Sequence, residues 1–225
     1  MLDQIFLFSS PLYRLHIDPS TYNRQEIIDT VTYNYSLDKT RNNWDEHSDL
    51  HHSYNDWEND KFKEVDTTAL MPIYKGIISS FLDKQNFKRK IKYRWAIENI
   101  TAYNNKQFMR AHDHLLLNVI WTCVHYISVP NGSSPLSFQN PLAFHTYNQH
   151  PGIQLQTDFV DHTNEINSSY YPTYNYSIKE NDFVIFPSYL KHSVDPNPEL
   201  EGLRIGVVVN IIFNGYEGEP DIINK

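Results

Sequence analysis

The segment at residues 90–100, KIKYRWAIENI, decides the fold. Ile91, Tyr93, Trp95 and Ile97 alternate with Lys92, Arg94, Ala96 and Glu98, the two-residue period of a half-buried strand. Upstream of Lys88 the period is helical. Two segments, 24–35 and 67–82, carry apolar residues at helical spacing, and in the second Leu70, Ile73, Tyr74, Ile77, Ile78 and Phe81 form one stripe. Between them TRNNWDEHSDLHHSYNDWENDK (40–61) is polar and rich in Asp and Asn, which reads as loop.

Downstream the period stays at two. NVIWTCVHYISV (118–129), SPLSFQ (134–139), GIQLQTDFV (152–160), TYNYSI (173–178), DFVIFP (182–187) and LRIGVVVNIIFN (203–214) are rich in Val, Ile, Tyr, Phe and Thr. Turn residues bound them, as in PNGSSP and ENDF. Many short strands with such punctuation read as a sandwich or barrel. The expected fold is mainly β with N-terminal helices: one domain over 1–225, with 1–87 as helical support and 88–225 as a jelly-roll core.

Composition narrows the function. The 225 residues are enough to bury roughly 70% of the unfolded surface without staples. The only cysteine, Cys123, excludes an internal disulfide framework and fits a reducing compartment. With 19 Lys and Arg against 27 Asp and Glu the net charge is −8, which gives no electrostatic reason to expect a nucleic-acid groove. The basic cluster at 88–92 is short and reads as a solvated strand entry. No apolar run approaches a membrane span, and MLDQIFLFSS lacks the basic start of a signal peptide, so a soluble, cytoplasmic chain is expected. No G-x-S-x-G elbow or phosphate-binding glycine loop is present.

Eleven histidines in an acidic chain direct attention to metal chemistry. In MRAHDHLLL (109–117) strand alternation puts His112 and His114 on one face and Asp113 on the other. Imidazole suits first-row transition metals, yet an H-x-H pair on a strand is as often a plain polar face. His192, in FVIFPSYLKHSVDP, follows a strand end and a turn, which returns it toward the first pair or simply caps the turn. Arg204 lies inside the most apolar strand. A charge there needs a partner, either an internal carboxylate or a bound one, for which a guanidinium fork is well shaped. His51 and His52 read as surface loop residues, and His145, His150 and His162 as loop residues near the mouth. His125 and Tyr126 must face opposite sides of their strand, and Cys123 reads as a small buried hydrophobe.

The order HDH, FPSYLKHSV, Arg204 resembles the 2-oxoglutarate- and Fe(II)-dependent oxygenases of the double-stranded β-helix (jelly-roll, cupin-like) superfamily. More narrowly it is similar to a small group of these found in bacteria and marine phages. LFSSPLY (7–13), Trp95, Tyr126, Pro130, Leu136, Phe138, Pro141 and the run 186–196 extend the likeness over nearly the whole chain. The resemblance implies Fe(II) held by His112, His114 and His192, with Asp113 as the alternative to His114. It implies the distal carboxylate of 2-oxoglutarate on Arg204, and O2 as co-substrate. The reaction would be hydroxylation of a small-molecule, peptide or nucleotide substrate, with release of succinate and CO2, in a bacterial cell or a phage-infected host. Two departures stand out. His114 occupies the position where most of the superfamily has a carboxylate, and Gly206 stands where many relatives have Ser two residues after the Arg. Tyr103, Asn118, Tyr126 and Asn210 are the candidates for the hydrogen bond that Ser would supply. The competing readings are a three-histidine cupin-like dioxygenase without 2-oxoglutarate and a non-catalytic β-sandwich module.

Overall fold

The computed structural model describes residues 10–39, 48–53, 60–104, 106–115, 118–142 and 172–219. The expected strand at 152–160, His145, His150 and His162, residues 7–9 of the opening motif and most of the polar segment 40–61 lie outside them.

Eleven strands and two helices follow one another in the described residues. They are β1 (Tyr13–His16), α1 (Arg24–Leu37), β2 (Ser48–Asp49), β3 (His51–His52), α2 (Leu70–Lys84), β4 (Ile91–Tyr103), β5 (Phe108–His112) and β6 (Val119–Ser128). After these come β7 (Leu136–Gln139), β8 (Thr173–Tyr176), β9 (Asp182–Pro187), β10 (His192–Val194) and β11 (Arg204–Tyr216). The strands form two antiparallel sheets ordered β1-β9-β6-β11-β4-β3 and β2-β5-β10-β7-β8. Both helices fall where the apolar spacing predicts them. Among the described residues no helix is long and apolar enough to cross a membrane.

Two apolar cores explain the layering. One lies between the helices and the outer face of the larger sheet: Ile27 and Val31 of α1 and Leu70, Tyr74 and Ile78 of α2 pack on Cys123, Ile205 and Val209. The other fills the space between the sheets, where Val184 and Phe186 meet Leu136, Phe138 and Val194. A sheet with both faces covered explains why β9 and most of β11 are buried throughout and read as continuous apolar runs. His51 and His52, expected at the surface, are instead each 2% exposed, because β3 pairs with β4 and carries them into the protein.

Two irregularities in register position the site. On β4, Asn99 pairs with Val208 and Ile97 with Val209, which leaves Glu98 as the extra residue of a β-bulge. The bulge reverses the phase of the strand. Before it Ile91, Tyr93, Trp95 and Ile97 face the helices; after it Ile100 and Ala102 do, so Asn99, Thr101 and Tyr103 turn to the inner side. On β5, His112 pairs with His192 but Met109 with Val194, so Arg110 and Ala111 together oppose Ser193. Both are exposed, while Met109 and His112 line the same inner cleft.

Candidate metal centre and co-substrate cleft

β5 stops at His112, and His114 lies in the chain beyond it, not within a strand. The sheet ladder cannot continue because the His114 backbone N–H donates to Ser188 O, 2.9 Å away, in the turn after β9. The segment stays extended enough to keep His112 and His114 on one side. His192, first residue of β10, pairs directly with His112. The three rings lie with centroids 4.3 Å (His112–His192) and 5.2 Å (the other two pairs) apart. One nitrogen of each falls within 4.8 Å of the others. Asp113 stays out of the group, its carboxylate accepting from Leu115 N at 3.3 Å. The bulge at Arg110 and Ala111 makes this choice. Plain alternation from Met109 would turn Ala111 and Asp113 inward; the extra residue turns His112 and His114 inward instead.

Each ring is oriented by an oxygen acceptor on Nδ1. His112 Nδ1 lies 3.0 Å from Arg110 O, His192 Nδ1 3.0 Å from Leu190 O, and His114 Nδ1 3.2 Å from Asn210 Oδ1. An oxygen acceptor requires the proton on Nδ1, which leaves the lone pair on Nε2, the arrangement found behind metal-bound histidines. Phe186 and Phe138 pack against His192, with centroids 4.9 and 6.1 Å away. Burial keeps the cluster uncharged. It lowers the pKa of His112, takes His114 down to about 4 with help from His112, and takes His192 well below the usual range. Three neutral imidazoles with fixed tautomers are a donor set suited to a first-row divalent ion.

The cleft that these histidines border opens to solvent at one end and reaches Arg204 at the other. Arg204 is 2% exposed; its Nη1 donates to Ser134 O at 2.7 Å, and its Cζ stands 5.3 and 5.6 Å from the ring centroids of Tyr103 and Tyr126. Among the described residues no carboxylate pairs with it. Tyr126 Oη and Asn99 Oδ1, both buried and both in the cleft, have no hydrogen-bond partner there either. Burial pushes the Tyr126 phenol up to about 12, against the opposing pull of Arg204, and also raises Tyr103, whose hydroxyl is 3.8 Å from Met109 Sδ. A buried cation with guanidinium donors beyond the one given to Ser134 O, beside orphaned polar atoms, fits a dicarboxylate.

Several expected contacts come out differently. Asn118 is exposed in a left-handed turn (φ 61°) that starts β6 and does not line the cleft, because β6 begins on the far side of the turn. Asn210 faces inward but bonds His114, not the region of Arg204. Thr101 and Asn99 are the residues that the sequence reading missed. A Cβ at Gly206 would stand 3.3 Å from Thr101 Oγ1, so a hydroxyl already borders the position that Ser takes in relatives. The spacing Ile97 to Ile100, three residues in a strand of period two, is the signal that marks the change of phase. As alternation requires, Tyr126 faces the cleft and His125 the helices, where its Nδ1 lies 2.8 Å from Tyr74 Oη.

Fold and cleft together define a double-stranded β-helix protein with a histidine-rich centre. Residues 99–210, which contain all three histidines and Arg204, match the family described as "Putative 2OG-Fe(II) oxygenase". The chain belongs to this family: it is an oxygenase that works with Fe(II) and 2-oxoglutarate. No curated protein sequence matches it. Among solved structures, a prolyl-4-hydroxylase of Pseudomonas putida aligns at 10% identity, TM-score 0.52, over 91% of this chain and 93% of its own. A prolyl hydroxylase of Trichoplax adhaerens, in complex with a hypoxia-inducible-factor peptide fragment, aligns at 9% identity, TM-score 0.51, over 89% and 83%. At these identities the likeness is one of fold, and it agrees with the jelly-roll expectation. Family membership displaces both the co-substrate-free dioxygenase and the non-catalytic module.

Proposed function

We propose that the chain acts as a single oxygenase domain over 1–225, with Fe(II) on His112, His114 and His192 and the distal carboxylate of 2-oxoglutarate on Arg204. One observation carries this reading: three histidines with Nδ1 engaged by oxygen acceptors share a cleft with a buried arginine that has no carboxylate partner among the described residues. The bound iron supplies the redox chemistry that couples decarboxylation of 2-oxoglutarate, to succinate and CO2, with oxygen transfer to substrate.

The protein's residues bind, orient and exclude water. Arg204 offers donors that Ser134 O does not use, and the faces of Tyr103 and Tyr126 keep its guanidinium from swinging. Tyr126 Oη, which has no partner among the described residues, supplies the hydroxyl donor that Gly206 lacks; Thr101 Oγ1 donates to Gly206 O at 3.3 Å and would have to turn from it to add a second. Along β11, Arg204, Gly206 and Val208 line the cleft in turn, and Asn210 reaches His114. The co-substrate would therefore lie along this strand, with its keto-acid end at the histidines. Three neutral ligands leave the centre more positive than two histidines and a carboxylate would, and the 2-oxoglutarate dianion offsets that charge.

The test is succinate release from 2-oxoglutarate by the full chain with Fe(II), against fractionated extracts containing peptides, nucleotides and small metabolites. Turnover that is lost in both His192→Ala and Arg204→Ala supports the proposal. Iron-loaded protein that never binds 2-oxoglutarate overturns it.

A further inference from the structure

The three histidines are not held alike. His112 and His192 each use a backbone carbonyl two residues back, Arg110 O within β5 and Leu190 O in the turn before β10, acceptors that no substitution removes. His114 stands past the end of β5, and its Nδ1 relies on a side chain, Asn210 of β11, distant in sequence. Asn210 is 5% exposed, and its Oδ1 also accepts from the fully buried Thr122 Oγ1 at 3.1 Å. Its Nδ2 donates to Glu98 Oε2 at 3.4 Å.

This last contact gives the chain of bonds its direction: Nδ2 donates to the Glu98 carboxylate oxygen, and Oδ1 is left to face His114 and Thr122. Oδ1 in turn requires the His114 proton on Nδ1, which leaves Nε2 as the donor atom. Glu98 keeps the inward phase of the strand before the β4 bulge, and the bulge turns Asn99 inward as well; strict alternation would not place both beside the inner face. Asn210 is otherwise an odd residue for the most apolar strand of the protein.

We propose that Asn210, held by Glu98 and Thr122, is a positioning residue that sets the tautomer and ring orientation of His114. The inference rests on the three histidines being the metal ligands. It concerns how well the metal is held, so it can be read without turnover.

The test is calorimetric titration of the full chain with Co(II), followed by the visible absorption of the bound ion. Asn210→Leu is expected to weaken Co(II) by about 10- to 100-fold, the usual effect of removing such a partner, and to alter the absorption bands. Asn210→Asp keeps an acceptor for His114 Nδ1 and Thr122 and should restore most of the affinity. Glu98→Gln, at an exposed position, should weaken binding by less, roughly severalfold, because it frees the amide to turn. Wild-type Co(II) affinity in folded Asn210→Leu overturns the inference; should that variant fail to fold, wild-type affinity in Glu98→Gln does so. The underlying reading fails separately, if the parent chain takes up no Co(II) or takes it up equally well in His192→Ala.

Discussion

Arg204 shows how one residue can be costly for the fold and still be the anchor that the proposed function requires. It is buried in an apolar strand, with one backbone acceptor and two aromatic faces for its charge. Replacing a buried charge with an apolar side chain of similar volume is often neutral or stabilising. Arg204→Met should therefore unfold at the same temperature as the parent or a higher one. On the proposed function the same change removes one partner of a desolvated charge pair with 2-oxoglutarate, a loss of about 2–5 kcal/mol, or roughly 30- to 4,000-fold in affinity. Thermal unfolding and calorimetric titration of 2-oxoglutarate into Co(II)-loaded protein measure the two effects together. A large loss of stability without loss of binding would make Arg204 a structural residue. Thr101→Val gives a milder version: it removes the hydroxyl beside Gly206 and keeps the volume. The expected effect is a weaker hold on 2-oxoglutarate, by roughly 1 kcal/mol or about fivefold, with Co(II) affinity unchanged.

At the scale of elements, the β5 bulge decides which side chains join the histidine cluster in the cleft. Deleting Ala111 gives plain alternation from Met109 through Arg110 to His112, with Ser193 opposite a single residue. Both histidines then still face inward, so Co(II) binding should survive. Deleting Asp113 destroys the two-residue spacing of the histidines and should abolish it. Metal titration of the two deletions tests this directly; equal loss in both would mean that the bulge does not set the phase. The same feature marks the limit of what could be read from sequence. Both helices, most of the long strands and the four residues of the proposed site were legible, because periodicity and residue chemistry are local properties. The bulges were not, since an extra residue is defined only against its partner strand. For that reason Asn99 and Thr101 were overlooked, His114 was expected within a strand, and Asn118 was expected at a cleft from which its turn excludes it. Asn210 is among the sequence candidates for the co-substrate's missing hydrogen bond, but which end of the cleft it serves depends on pairing that the sequence does not show.

For the molecule as a whole, burial of neutral histidines links stability to pH. His114 and His125 are lowered to about 4 and about 3 by burial first of all, and His192 lies well below the usual range for the same reason. The unfolded chain takes up protons near the ordinary histidine value of about 6.5, while the folded one does not until far lower. Between those values the unfolded state binds more protons, so stability rises with pH across this window. It is complete above about 6.5 and is lost as the solution is acidified toward 4. His125 isolates one contribution, because it lies outside the cleft, fully buried against Tyr74, Tyr22 and Phe183, with Nε2 unpartnered among the described residues. Integrated from pH 7 to pH 5, one such group accounts for about 2 kcal/mol. His125→Phe should remove that share of the pH dependence, whatever it does to stability at neutral pH. Denaturant unfolding of both proteins without metal, at pH 7 and pH 5, gives the comparison, and equal pH differences in the two would show that His125 is charged in the folded chain. Saturating Co(II) should then steepen the acid loss in both proteins alike, because protons compete for the cluster of His112, His114 and His192 and not for His125.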